Sequence, residues 1–446
     1  MTNKIMINNK NKILEFGILA YIFLLPWQAR WIWQEASING EVWEYGRYSL
    51  YATEILLWLL IIVWTLINRK KLALAFRRKL PVSQSRLALL LPILLALIWS
   101  GLTIFWSADV GLAYSVWFKM LEGAVLFTLL LNSKIRLEKF LATFTFAGVV
   151  QGLIAVWQFV TQSVIGSKWF GVATQVAGVG DAVIETSTGR WLRAYGTLPH
   201  PNILGGFLVV AILITIALYI RFVKRLHLWA ALATLPIMGA GLFFSFSRSA
   251  ALALVASWLL WVIVGIYKNQ KYEVISLLKT GVVLVATFVV LAFMYQPLVA
   301  TRYTSQGRLE INSLSERQIY ENDAKQLLGQ RTVVGRGIGQ FTGAVYSEVD
   351  STRLAWDYQP VHNLNWLLLV ELGLVGWAFF IFVALFYLTT FARLNTPAWP
   401  AFAALLVISF FDHYVWTLAF GIILFWLILS LNIKYSQSKS VHNEAP

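Results

Sequence analysis

The sequence has no cysteine among its 446 residues, and only 13% of its residues are charged. The lack of cysteine excludes disulfide bonds and thiolate metal sites. The low charge, together with 59% hydrophobic residues, excludes an ordinary soluble domain. The sequence also lacks an Asp-x-Asp motif and any carboxylate cluster with metal-ligand spacing. We therefore expect neither a metal ion nor a cofactor.

Long apolar runs make up most of the chain. A helix needs about 20 mostly apolar residues to cross a bilayer, and the chain contains about twelve such runs. Within a bilayer a helix satisfies all of its own backbone polar groups. The sequence therefore predicts an all-α polytopic membrane protein.

The apolar runs divide the chain into three parts. Residues 1–294 are predicted to contain the first nine spans, with an outer loop at about 163–201. Residues 295–362 are predicted to form a large, partly helical outer loop that covers the functional site. Residues 363–446 are predicted to contain the last three spans and a cytoplasmic tail.

The net charge of +15 is explained by membrane topology, so no nucleic-acid partner is expected. If the N-terminus is inside, 21 of the 36 lysines and arginines lie in inner segments. Both termini are then cytoplasmic. No small-residue cleavage site follows the basic N-terminus, so we expect an uncleaved first helix in the cytoplasmic membrane.

The long outer loop is predicted to be folded. The sequence SLSERQIYENDAKQLL, residues 313–328, is typical of a helix capped by Ser313 or Ser315. Within it, Glu321 has the spacing to pair with Arg317. The glycine-rich sequence GRGIGQF, residues 335–341, follows no strand of a βαβ unit and is no dinucleotide motif. It predicts a turn where the backbone approaches a ligand closely.

His362 stands where this loop enters the next apolar run. A histidine there commonly caps a helix or lies at the interface, and these roles remain open. The functional alternative is a general base, because a neutral imidazole can take a proton near neutral pH. Asn365 would share its helix face and could orient it. Glu371 points away and needs a buried partner, for which Lys119 and Lys279 are candidates.

Three arginines fall on the predicted outer side in polar segments: Arg193, Arg248 and Arg317. An arginine there can reach toward lipid headgroups. Several arginines facing one cavity would instead bind a diphosphate, because a guanidinium group binds phosphate oxygens in a bidentate manner. We expect the other arginines of the long loop to be solvated; they are Arg302, Arg308, Arg331, Arg336 and Arg353.

Two further histidines belong to the predicted outer side. His200 lies in a rigid turn, LPHPN, in which Asn202 can cap the following helix. His413 lies beside Asp412 in a short turn, FDHY, where an interface role is expected.

The motifs form an ordered set. The sequence RAYGTLPHPN precedes one span and SRSA occupies a tight turn. Then come R-x-x-Y-x-x-x-A, G-x-G-x-x-x-F and finally H-N-x7-E-x-G-x-x-G. Between residues 193 and 377 this set resembles the O-antigen ligase and O-antigen polymerase superfamily. The first five spans match it only in their hydrophobic topology.

This resemblance implies a metal-independent glycosyltransferase with a helical membrane fold. Such proteins transfer a glycan from an undecaprenyl diphosphate carrier to an acceptor hydroxyl, at the outer face of the cytoplasmic membrane. The acceptor is a glycan, the lipid A core or a protein. Carried over, His362 is the base of an inverting reaction, and Arg193, Arg248 and Arg317 bind the donor diphosphate. His200, Asn202 and Asn365 are candidates for supporting roles.

Two alternatives remain open. One is a flippase for lipid-linked glycans or another transporter, a class that carries ionisable residues in mid-span. The other lies within the same enzyme class and is a protein O-oligosaccharyltransferase.

Overall fold

The computed structural model describes residues 2–78, 84–178, 180–187, 189–222, 228–304 and 307–443. Three of the basic residues used to orient the chain, Lys79, Lys224 and Arg225, lie outside these residues.

Helices dominate the described residues, and eight short strands connect some of them. The helices are α1 Thr2–Phe23, α2 Ala52–Arg78, α3 Gln84–Leu102, α4 Val110–Asn132, α5 Leu137–Thr161, α6 Pro201–Phe222, α7 Leu228–Ser245, α8 Arg248–Tyr267, α9 Lys271–Met294, α10 Gln296–Thr304, α11 Arg308–Arg331, α12 Phe341–Ala344, α13 Leu364–Leu394, α14 Trp399–Ser409, α15 Tyr414–Thr417 and α16 Ala419–Asn443. The strands are β1 Arg30–Gln34, β2 Ser37–Ile38, β3 Glu41–Val42, β4 Tyr48–Tyr51, β5 Ser163–Val164, β6 Gln175–Val176, β7 Val183–Thr186 and β8 Gly189–Leu192.

Within the described residues, nine helices are long and apolar enough to cross a membrane. Two shorter apolar helices, Leu232–Ser245 and Trp399–Ser409, accompany them. The apolar window of α6 is 89% buried and that of α16 is 83% buried, whereas those of α2 and α3 are 22% buried. The prediction of an all-α polytopic membrane protein is confirmed, with α6 and α16 at the centre of the helix bundle.

The strands lie at one end of the bundle and form four two-stranded antiparallel sheets. Residues 29–51, 163–200 and 296–361 meet there, and we call these three segments the cap. The Asn39 side chain donates to the carbonyls of Ser351 and Arg353, both at 2.9 Å. The indole of Trp27, just before the first segment, donates to the Trp169 carbonyl at 2.7 Å. Distant parts of the chain are thereby joined into one layer.

Basic side chains gather at the opposite end of the bundle. The ammonium group of Lys268 donates to the Ala392 and Arg393 carbonyls at 2.5 and 2.7 Å. That of Lys434 donates to the Leu130 carbonyl at 2.9 Å. These cations complete helix C-termini, where carbonyls lack partners and carry partial negative charge. Lysines assigned to inner segments thus lie away from the cap.

The helix predicted in the long loop exists, but it is longer than expected. It begins at Arg308 behind Gly307, so neither Ser313 nor Ser315 is its cap. Glu310 lies in its first turn, where a carboxylate is favoured by the helix dipole. The expected pairing of Glu321 is also wrong, because Glu321 pairs with Lys325 at 2.8 Å.

The glycine-rich loop binds the backbone of α13. Helix α13 is broken at Gly373, which has φ 71°. The N–H groups of Arg336 and Gly337 donate to carbonyls just before the break, those of Val370 and Glu371, at 2.9 and 2.8 Å. In return, the Leu374 N–H just after the break donates to the Thr332 carbonyl at 2.8 Å. The loop therefore satisfies backbone groups that the broken helix leaves open.

We expect Gly373→Ala to lower the apparent unfolding temperature in detergent, measured by tryptophan fluorescence. A Cβ at this position would lie 2.2 Å from the Val333 carbonyl oxygen, and the left-handed φ adds strain of about 1–3 kcal/mol. The matched control is Gly329→Ala in α11, where a Cβ would meet nothing within 4 Å. If both variants unfold at the wild-type temperature, the break does not depend on this glycine.

Candidate functional site

His362 lies just before α13 and not on it. Asn363 is the N-cap, and its side chain accepts from the Asn365 N–H at 2.9 Å. The Asn365 side chain bonds to Asn363 at 3.2 Å and to the Trp377 indole at 3.3 Å. Asn365 therefore fixes the start of the helix. These bonds do not orient the histidine ring, and a role of Asn365 in orienting the substrate stays a prediction.

The tautomer of His362 follows from its hydrogen bond. Its Nδ1 lies 3.2 Å from the Pro360 carbonyl oxygen. Because a carbonyl oxygen only accepts, Nδ1 carries the proton when the ring is neutral. The lone pair is then on Nε2, which is the arrangement that a general base requires.

Aromatic rings link three parts of the chain through His362. Its ring centroid lies 5.9 Å from that of Tyr320 on α11 and 5.2 Å from that of His413. The His413 ring in turn lies 6.1 Å from that of Tyr45, in the first cap segment. The expected interface role of His413 is wrong, because its side chain is buried beside His362.

Asp412 is the buried carboxylate of this group. It accepts from the His413 N–H at 2.9 Å and from the Asn202 side chain at 3.5 Å. Burial alone would raise its pKa, but the facing histidines hold the pKa below its ordinary value. Asp412 is therefore an anion close to His362.

Asn202 joins Asp412 to Arg193. Its Oδ1 accepts from Arg193 Nη2 at 2.7 Å, so it does not cap α6 as predicted. His200 takes that role, because its Nδ1 accepts from the Asn202 N–H at 3.1 Å. Arg193 is buried and also donates to the Ser245 carbonyl at 2.8 Å. Burial and the neighbouring Arg302 lower its pKa.

Arg302 is an interior residue that the sequence failed to identify. Its guanidinium group binds both oxygens of Glu310 at 2.7 and 2.5 Å, and it donates to the Phe246 carbonyl at 3.0 Å. Arg248 lies 3.7 Å from the same carboxylate. Nothing local distinguishes Arg302 from the exposed Arg308, because its burial arises from contact with the SFSRSA turn.

Two other loop arginines also differ from the prediction. Arg336 is buried and pairs with Glu348 at 2.6 Å, and Arg353 pairs with Asp323 at 2.6 Å. Both hold the long loop together. Arg308 and Arg331 are exposed, as expected.

Arg317 faces the same group from α11. Among the described residues, no side chain or carbonyl accepts a hydrogen bond from its guanidinium group. Burial lowers its pKa, and the charge of Asp412 opposes this shift. Arg248 and Arg302 are also within electrostatic range. The structure thus brings Arg193, Arg248 and Arg317 together and adds Arg302, with Glu310 and Asp412 as the nearby anions.

A cavity of about 490 Å³ opens on the other side of the histidines. Its wall includes the first cap segment, which the sequence did not indicate as part of the site. The signal available was an unusual density of charged and aromatic residues between the first two spans. Residues that line the cavity include Gln28, Arg30, Glu44, Tyr45, Arg47, Tyr51, Ser115, Lys119, His200, Asn202, Gln359, His362, Asp412 and His413.

Glu371 has a partner other than the lysine proposed from the sequence. It accepts from the Trp416 indole at 2.9 Å. Lys119 instead pairs with the buried Glu54 at 2.5 Å, at the edge of the cavity. The carboxylate of Glu371 therefore connects α13 to α15.

The buried histidines predict a pH dependence of stability. Burial lowers the pKa of His200 and His413 to about 3, whereas an unfolded histidine titrates near 6.5. Between these values the unfolded state binds more protons, so the free energy of unfolding falls as the pH decreases. We expect a lower unfolding temperature at pH 5 than at pH 7, and a smaller difference in His413→Gln.

Thr417→Val is the control, because it removes the hydroxyl bonds to the His413 ring and carbonyl, at 2.7 and 3.4 Å, and keeps the ring itself. A pH difference that His413→Gln leaves as large as in wild type would contradict this account.

The comparison with known families adds to this geometry. A family model described as O-antigen ligase matches residues 233–381. The match includes Arg248, Arg317 and His362, whereas Arg193 precedes it. No curated protein matches the chain. The matched residues carry most of the motifs, and the match supports their resemblance to the O-antigen ligase and polymerase superfamily.

Proposed function

We propose that the protein transfers a glycan from an undecaprenyl diphosphate-linked donor to an acceptor hydroxyl, at the outer face of the cytoplasmic membrane. The single observation that supports this most is His362, whose Nδ1–H bonds to the Pro360 carbonyl and leaves Nε2 as a base. The O-antigen ligase domain agrees with it.

His362 acts as the general base. Its Nε2 takes the proton of the acceptor hydroxyl while that oxygen attacks the anomeric carbon of the donor sugar. The bond between this carbon and the diphosphate breaks, and in-line attack inverts the anomeric centre. The imidazolium that forms lies near the anionic Asp412, which stabilises it.

The arginines bind the leaving diphosphate. The guanidinium N–H groups of Arg317 can donate hydrogen bonds to the diphosphate. Arg248 lies within electrostatic range of Arg317. Arg193 uses two nitrogens on Ser245 and Asn202, so its contribution is mainly its buried positive charge. Fixed cations in a site of low polarity stabilise the negative charge that develops on the leaving group.

The break in α13 favours a second candidate, a transporter of lipid-linked glycans, because transporters use broken helices and mid-span ion pairs. The pair of Lys119 and Glu54 joins two spans, but Glu54 lies in the first turn of α2 and not in mid-span. The break, however, is closed by the glycine-rich loop, whose backbone pairs with the N–H and carbonyl groups that the break leaves open. The closed break supports the transferase over the transporter.

We expect His362→Ala to abolish transfer by purified protein in nanodiscs, because no base then activates the acceptor. The assay uses lipid-linked glycan extracted from the producing cells and measures release of the lipid diphosphate with an acceptor present. The control Asn365→Ala keeps His362 and should retain transfer. Full activity of His362→Ala would show that His362 is not the base. Absence of transfer by the wild-type protein would favour the transporter.

We expect Arg317→Lys to lower kcat/KM for the donor by about 10-fold or more, because lysine lacks the bidentate fork. The control is Arg308→Lys, which alters an exposed arginine on the same helix. Equal kcat/KM for the two variants would show that Arg317 does not contact the diphosphate.

A further inference from the structure

We propose that the cavity beside His362 is the acceptor chamber, and that it takes the sugar ring that carries the attacking hydroxyl. This inference rests on the proposed transferase function and names one of its substrates. It assigns a role to the first cap segment, which contains none of the superfamily motifs.

The site has two sides, and the cavity belongs to one of them. His362, Asp412 and His413 line the cavity. Arg193, Arg248, Arg302 and Arg317 are not part of its wall. Arg193 bonds to Ser245, Arg248 and Arg302 face Glu310, and Asn202 connects Arg193 to the wall. A base must reach both the acceptor proton and the donor carbon, so it belongs at the boundary between their sites. His362 has that position.

The first cap segment supplies groups that suit a sugar. The carboxylate of Glu44 accepts from Arg30 at 2.6 Å and from Arg47 at 2.5 Å. This arrangement presents donors and acceptors side by side at the cavity wall, as hydroxyl groups require. Tyr45 and Tyr51 add aromatic surface for the apolar face of a ring.

The chamber is formed by the fold itself. Gly171, with φ +68°, brings the second cap segment against the Gln28 backbone, where a Cβ would lie 2.0 Å from the carbonyl carbon. The Arg47 guanidinium group bonds to Glu35 at 2.6 Å and thereby holds the first segment in place. The volume of about 490 Å³ lies within the range of small-molecule sites.

The absence of cysteine allows a direct test in the full-length protein. Ser115→Cys introduces a single thiol at the cavity wall, and Ser347→Cys places one on the exposed part of the cap. Each variant in nanodiscs is treated with a charged thiosulfonate reagent. The labelling rate is measured first without any additive. It is then measured with glucose, galactose, N-acetylglucosamine or maltose, and separately with a serine-containing tripeptide.

We expect at least one saccharide to slow the labelling of Ser115→Cys, while the tripeptide does not and Ser347→Cys is unaffected by either. Labelling Ser115→Cys should then slow glycan transfer by about 10- to 100-fold relative to the same variant before labelling. Binding of the lipid-linked donor, followed by tryptophan fluorescence, should change by less than about two-fold.

Protection by the tripeptide alone, or by no saccharide, would overturn the sugar assignment. Loss of donor binding on labelling would make the cavity part of the donor site. If wild type transfers glycan and labelled Ser115→Cys transfers equally fast, only the chamber is wrong. If wild type transfers no glycan at all, the proposed function itself has failed.

Discussion

The closure of the break in α13 is the constraint on which the site depends. In a bilayer an open backbone group costs several kcal/mol, so a broken helix needs partners from elsewhere in the protein. The glycine-rich loop supplies them on both sides of Gly373. Since this loop follows α11 directly, the closure also fixes α11 beside the start of α13. Tyr320 therefore meets His362, and Arg317 meets the group around Asp412. The catalytic proposal relies on this fixed placement.

The distribution of buried charge follows from the same requirement. Ionisable groups removed from water must be paired or hydrogen-bonded. Arg302 meets this requirement with Glu310, and Arg336 and Arg353 with their carboxylates. Arg193 has only carbonyl and amide partners among the bonds described for its side chain. Among the described residues, the positive charges of Arg193, Arg302 and Arg317 thus outnumber Glu310 and Asp412, and an anionic ligand would balance the excess charge.

The sequence predicted the features that depend on composition and local motifs. The helical membrane fold, the tight SFSRSA turn and a helix around Arg317 are all present. It could not predict features that arise when distant segments meet. Arg302 is buried because α10 folds onto the turn before α8, and His413 because the first cap segment covers it. The start of α11 was predicted too late in the chain, at Ser313 or Ser315. Its first turn contains Glu310, which is fixed by an ion pair with Arg302 on α10.

The position of His362 between two unlike surroundings separates the two substrates of the proposed reaction. On one side lie cations, which suit the diphosphate of the proposed donor. On the other lies a cavity whose wall is built largely by residues 29–51 and 163–200. In the proposed reaction, a change of acceptor therefore requires change only on the cavity side. His362 and the arginines can then remain as they are, while residues 29–51 and 163–192, which precede the motifs, determine which hydroxyl reaches Nε2.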